Sequence, residues 1–429
     1  MTILLLVAWC LAMMFSARLI CRNWVNHLTL YTAAWTVSLC AYELHWIRYN
    51  SIGTEAWIYI FAAWIAIYLG TAFASVLGSG QVSLWPDYYG RRLKTMIVFL
   101  SFAGLASCFV LARQVMDEVN SNLLVAVTVG APRIYAAVFE ETGTLVGIPY
   151  IAFLPFAASA LAGAYTAVIR RLDWVSVFPL LVATIGGVLS ASRWNILFAA
   201  VLFLLSLFLT PKSKPVRLSN SQKALLFVAC LSGILLITLT RTDLANSLTE
   251  QSGSLDKISE LIPVAPSLYF YFSGPPVGFG EYLRDSRRES SSSWGRYTFA
   301  SFYRFLSKFG LSTRVPFHQE FYSTPEPINT CTYLRELHSD FGVPGIFVFP
   351  FALGFVAGRI AALPRGVVRV ILLAHIYVIV LFSYTSLIMS TGQWFQSAIV
   401  STCAALFLSR SSASASGVRT LRGVRASGS

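Results

Sequence analysis

The sequence predicts an all-α polytopic transmembrane helical bundle of about eleven spans, and three observations carry that prediction. Hydrophobic residues make up 56% of the 429-residue chain and charged residues 12%; a soluble domain carries about twice that charged share. The apolar residues fall in runs of roughly 17–22, the length at which a helix crosses a bilayer. Finally, charge alternates between successive connections. One set holds Arg18, Arg22, Arg91, Arg92, Lys94, Arg170 and Arg171, then Lys212, Lys214, Arg217 and Lys223. It continues with Arg359, Arg365, Arg369, Arg410, Arg419, Arg422 and Arg425, against Asp87 and Asp173 alone. The positive-inside rule makes that side cytoplasmic, with the N-terminus outside and the C-terminus inside. The net charge of +13 is therefore a topology signal, and nucleic acid is not an expected partner.

The predicted spans are 2–20, 25–46, 56–77, 95–112, 146–168, 174–190, 194–210, 223–240, 341–358, 370–388 and 393–409. They divide the chain into a bundle over 1–240, an extracytoplasmic loop over 241–340, a second bundle segment over 341–409 and a disordered cytoplasmic tail over 410–429. Span one lacks a basic leader and runs into Arg18 and Arg22, which argues against a cleaved signal peptide. Trp46, Tyr49, Trp57, Trp85, Tyr88 and Tyr89 cluster at span ends, where amphipathic rings sit at a membrane interface. Glu43 and His45, at the outer end of span two, read as interfacial groups reaching water, with a site role as the alternative. Cys10, Cys21, Cys40, Cys108, Cys230 and Cys403 lie in or beside spans, and Cys331 stands alone in the outer loop. A disulfide framework or a CxxC metal site is excluded by that distribution.

Residues 113–145 form the first sizeable outer connection. Leu123 to Val129 is too short to span and reads as an interfacial or re-entrant helix, and Arg133, Glu140 and Glu141 face the outer surface. Spans six and seven meet at Ser190-Ala191-Ser192-Arg193, a helical hairpin with its tip outside. An Arg there breaks the charge rule. It either snorkels to headgroups or grips an anion, and a planar guanidinium suits phosphate.

Residues 211–222 read as a cytoplasmic linker and 242–262 as polar covering of the loop. Residues 264–288 combine an aromatic block, a Gly/Pro turn and a charged stretch, and Ser290–Ser293 is flexible. Over 294–311, Tyr297, Phe299, Phe302, Tyr303, Phe305, Leu306 and Phe309 recur at helical spacing, predicting an amphipathic helix with Arg304 and Lys308 on its polar side. The loop closes on Asn329, Thr330, Thr332, Tyr333, Arg335, Glu336, His338 and Asp340. If 332–340 is helical, Thr332, Glu336 and Asp340 share one face, with Arg335 and His338 on the adjoining one. Carboxylates beside cations there would serve proton transfer from a hydroxyl while cations hold phosphate.

Three stretches, YFSGPP from Tyr271, GRYTFASFYRFLSKFGL over 295–311 and INTCTYLRELHSDFGVPGIFVFPFALGFVAGRI over 328–360, resemble the bacterial O-antigen and capsule repeat-unit polymerases of the Wzy type. The Ser192-Arg193 hairpin is similar to the Ser-Arg element those proteins carry between two middle spans. The resemblance implies a glycosyltransferase of the bacterial inner membrane. It would move a growing glycan from undecaprenyl pyrophosphate to the next lipid-linked repeat unit at the periplasmic face. It implies no cofactor and no metal, and leaves room for a chain-length regulator as partner. Carried onto this chain, the pyrophosphate falls to Arg193, Arg133, Arg296 and Arg335. Acceptor activation falls to Glu336, His338 or Asp340, and sugar contacts to Trp294, Tyr297, Asn329, Thr332 and Tyr333. Asp340 has a purely structural alternative as a helix cap. Two other functions stay open: an O-antigen ligase acting on the same donor, for which His338 speaks, and a secondary transporter or flippase. The latter calls for inverted repeats and ionisable groups within spans, and neither is evident.

Overall fold

The computed structural model describes residues 3–77, 89–131, 133–134, 137, 145, 147–210, 265–285, 293–312, 315, 321–324, 327–328, 330–364 and 366–426. Among them the chain is almost entirely helical. In order, the helices are α1 (Ile3–Cys21), α2 (His27–Glu43), α3 (Thr54–Val76), α4 (Tyr89–Val119), α5 (Leu123–Thr128), α6 (Leu154–Ile169), α7 (Trp174–Leu189) and α8 (Arg193–Leu209). Then follow α9 (Ala265–Arg284), α10 (Ala300–Ser307), α11 (Tyr333–Ala361), α12 (Val367–Phe382) and α13 (Gly392–Ala426). A two-residue antiparallel pair, β1 (Tyr322–Ser323) with β2 (Pro327–Ile328), lies between α10 and α11.

Five of these helices are long and apolar enough to cross a membrane: α1, α3, most of α4, α6 with the 3₁₀ turn before it, and α11. The chain is thus a helical protein of membrane type. Helices α7, α8 and α12 are apolar but shorter. The range 223–240, expected to span, lies outside the described residues, as do the linker 211–222, the loop segment 242–262, and Glu140 and Glu141.

The closest helix pairing sets α3 against α11. A Cβ built on Gly70 would lie 2.0 Å from Phe351 O, and one on Gly354 would lie 2.1 Å from Ile67 O. Gly354 and Gly358 form a small-xxx-small pair facing Ile67, Thr71 and Ala74, so the two backbones touch. Some polar side chains inside the bundle are paired across helices. Trp35 Nε1 donates to Ser383 Oγ at 2.9 Å, and the Thr32 and Tyr68 hydroxyls meet at 2.7 Å.

Several elements differ from the sequence expectation. The helix expected over 294–311 is only Ala300–Ser307, because Trp294 and Gly295 take positive φ and residues 294–299 form turns. The Gly/Pro turn expected near 275 is absent: α9 runs through Pro275 and Pro276. Residues 273–280 are all buried, so packing overrides the poor helix propensity of that run. Span five starts late, at Leu154, after positive φ at Gly147 and Tyr150, and Pro155 sits in its first turn, where a missing N–H is harmless. The Ser- and Arg-rich segment from Arg410, expected to be disordered, continues α13 to Ala426. It contains no proline to interrupt the ladder begun earlier in α13.

Candidate functional site

The hairpin tip forms as the sequence implies. Helix α7 ends at Leu189, Ala191 turns the chain at φ 49°, and α8 begins at Arg193. Ser190 is held to Gly186 O at 2.8 Å and receives Asn195 Nδ2 at 3.2 Å, while Gln393 donates to Asn195 Oδ1 at 3.3 Å. The N-cap Ser192 makes no side-chain cap bond, so the first N–H groups of α8 lack that partner. Arg193 therefore stands at the positive end of a helix dipole, where a cation is disfavoured and an anion favoured. Its guanidinium lies 5.2 Å over the Tyr271 ring, and Nη2 reaches the Tyr271 hydroxyl at 3.4 Å.

Tyr271 belongs to α9, which packs on the C-terminal half of α2 and the residues after it. Ser38 Oγ donates to Phe272 O, Tyr49 and Ser273 share a 2.6 Å bond, and the Tyr269 ring stacks on Trp46. Eleven residues further along, Tyr282 Oη meets His338 Nδ1 at 2.9 Å and accepts from Ser339 Oγ at 3.1 Å. Eleven residues are close to three turns, so both tyrosines fall on one face of α9, about 16 Å apart along its axis. The His338 ring also lies 6.0 Å from Tyr59. One helix thus connects the Arg193 tip to the 333–340 segment.

The first two turns of α11 are mostly turned inward. Asp340 is 2% exposed and accepts from Ser293 Oγ at 2.5 Å, Tyr297 N at 3.0 Å and Thr298 N at 2.5 Å. Its carboxylate serves the turn before α10. The structural role foreseen for it is real, but it caps a different segment from the one expected. Arg335 and Glu336 are both buried, with Arg335 Nη2 3.6 Å from Glu336 Oε1 and Nη1 3.4 Å from Cys331 Sγ. Glu336 Oε2 has no hydrogen bond among the described residues. Burial pushes the Cys331 thiol up to about 11, the nearby Arg335 opposing that shift only in part.

Tyr333, expected on a sugar platform, is fully buried: its hydroxyl meets Tyr31 Oη at 3.1 Å, and its ring meets Tyr31 and Trp35 edge to face. At 0% exposure no face of the ring is left for a sugar. Thr332, the α11 N-cap, is also fully buried. After Phe341 the helix breaks at Gly342, where φ 62° and ψ −153° suit a residue without Cβ.

The remaining expected groups scatter. Arg133 is exposed and paired with Glu118 at 3.2 Å, while its neighbours Ala131 and Ile134 share an apolar cluster with Leu189 and Ala191 of the hairpin. Trp294 is 79% exposed; Arg296 and Tyr297 are partly buried in the turn held by Asp340. Asn329 lies outside the described residues. His45, the minor candidate, is exposed and bonds Glu43 O at 2.6 Å. Tyr271, Tyr282 and Ser339 were not singled out from the sequence as site residues. The eleven-residue spacing of the two tyrosines was the available signal, hidden by Pro275-Pro276. No group of three or more His, Cys, Asp or Glu side chains is gathered among the described residues. No family model matches the chain, and neither a curated protein nor a solved structure matches it.

Proposed function

We propose that this protein is a membrane-embedded polysaccharide polymerase that joins undecaprenyl-pyrophosphate-linked oligosaccharide repeat units into O-antigen or capsular chains. In this reading it crosses the bacterial inner membrane eleven times, with the N-terminus and the 241–340 loop on the periplasmic face. The observation that carries the reading is Arg193 at the uncapped N-terminus of α8. A diphosphate placed there gains both a guanidinium fork and helix N–H groups that the Ser192 side chain does not cap.

In the transfer, an acceptor sugar hydroxyl forms a bond to the donor's anomeric carbon as that carbon's bond to the pyrophosphate oxygen breaks. Polyprenyl pyrophosphate leaves, and the hydroxyl proton passes to a base or to water. Charge builds on the leaving group, so a cation pre-set there lowers the barrier. The Arg193–Tyr271 pair meets the diphosphate. His338, Ser339 and Tyr282 lie about 16 Å further along α9 and meet sugars of the same extended substrate. The inward-facing Arg335, Glu336 and Asp340 hold the segment in place.

The deciding experiment incubates purified protein with a synthetic lipid-linked repeat unit and resolves the products by size. A ladder is expected, reduced about 10–100-fold in rate by Arg193→Ala, the loss of one to two charge-assisted bonds. If no repeat unit of the host strain gives a ladder, the polymerase assignment falls. If the ladder forms equally well without Arg193, only the pyrophosphate role falls.

A further inference from the structure

At the end of the bundle away from Arg193, where α1, α3, α8 and α11 finish and α2 and α12 begin, a cavity of about 980 Å³ opens. Its charged lining groups are Arg22 and Arg369, and no Asp or Glu is among its described lining residues. The cavity also has an apolar flank. Leu19, Val25 and Phe208 line it while remaining 64%, 48% and 60% exposed, so the mouth is continuous with greasy outer surface.

His27 lines the same cavity and is only 1% exposed. Its Nε2 lies 2.8 Å from Thr71 Oγ1. Thr71 Oγ1 also lies within hydrogen-bonding distance of two carbonyls, Ile67 O at 2.9 Å and Gly354 O at 3.2 Å, either of which takes its single hydroxyl hydrogen. Thr71 therefore accepts from His27, and the ring hydrogen sits on Nε2. Nδ1 is left as a buried lone pair, and it has no partner among the described residues. A buried acceptor in that state favours any ligand that brings a donor.

Cationic groups, an unfilled acceptor and an apolar flank describe one kind of occupant. We propose that this cavity binds the headgroup of a membrane phospholipid, its phosphodiester held by Arg22 and Arg369 and a headgroup hydroxyl or ammonium donating to His27 Nδ1. The acyl chains then run over Leu19 and Phe208. The site is independent of the polymerase reading, since it lies at the other end of the helices.

Native mass spectrometry of the full chain in mild detergent tests this with three probes: phosphatidylglycerol, phosphatidylmethanol and inorganic phosphate. Phosphatidylmethanol has the same charge and no headgroup donor. Wild-type protein is expected to hold phosphatidylglycerol about tenfold more tightly than phosphatidylmethanol, the worth of one hydrogen bond. His27→Phe should erase that preference while both lipids still bind. Arg22→Gln, at an exposed position, and Arg369→Gln should weaken both lipids alike. Equal binding of the two lipids by wild type, or lipid binding indifferent to both arginine variants, overturns the proposal. Displacement of lipid by millimolar inorganic phosphate does so as well, by making the ligand a soluble anion.

Discussion

Arg335 and Glu336 illustrate how a residue's chemistry is decided by where its side chain ends up. From sequence they are a cation for phosphate and a carboxylate for proton transfer; folded, they face each other below the surface. Breaking such a pair leaves one buried charge uncompensated, at a cost of about 3–5 kcal/mol, whereas replacing both groups by apolar ones is often close to neutral. Arg335→Met is therefore expected to lower thermal stability in detergent sharply, and Arg335→Met with Glu336→Met to recover most of the loss. A double variant no better than the single one would contradict the pairing. Asp340 gives a second case. Its carboxylate accepts two backbone N–H groups and one hydroxyl. Asp340→Ala should destabilise by at least about 2 kcal/mol, since each charge-assisted bond contributes about 1.5–3 kcal/mol. Limited proteolysis should show cleavage between 293 and 312 in that variant; an unchanged digestion pattern would reject the anchoring role. Cys331 is predicted to resist maleimide at pH 8 in the folded protein, because its thiol is buried and raised to about 11. It should label on denaturation.

At the scale of elements, the long apolar helices were legible because period and length are local properties. The hairpin at Ser190–Arg193 was legible too, since its small residues and abrupt hydropathy break allow little else. Helix α9 was not. Its two prolines argue for a turn, and only burial of residues 273–280 against α2, Ile52 and Ile328 keeps it helical. Helix α10 was overestimated for the opposite reason: the aromatic period continues upstream, but Asp340 captures the Tyr297 and Thr298 N–H groups and fixes a turn there. The α3–α11 contact depends on Gly70 and Gly354, at each of which a Cβ would fall near 2 Å from a carbonyl oxygen. Gly354→Leu is expected to force the helices apart and prevent recovery of monodisperse protein. Val356→Leu, on an exposed face of the same helix, should be tolerated. Equal yields of the two variants would argue against this packing.

For the whole molecule, the basic connections and the candidate site lie at opposite ends of the bundle. Arg22 and Arg369 sit where α1 ends and α12 begins, while Arg193, His338 and α10 gather where α7, α12 and the α2–α3 connection turn. With the positive-inside rule, this predicts that a single cysteine replacing Ser301 is reached by an impermeant thiol reagent from the outer side of the membrane in intact cells. A cysteine replacing Arg91 should react only after the membrane is opened. The reverse pattern would invert the topology and remove the proposed periplasmic reaction with it.

The sequence by itself determined the helical membrane class, the positions of most long helices and the charge asymmetry, because hydropathy and charge are read residue by residue against a fixed bilayer thickness. It also brought attention to Arg193 and to the 329–340 cluster. Which members of that cluster face outward was decided only by tertiary structure. Tyr333, Arg335, Glu336 and Asp340 turn toward α2, Cys331 and the 293–298 turn, leaving His338 beside Tyr282. Helical spacing assigns residues to faces; which face meets solvent depends on neighbours hundreds of residues away, Tyr31 for Tyr333 and Tyr59 for His338 among them.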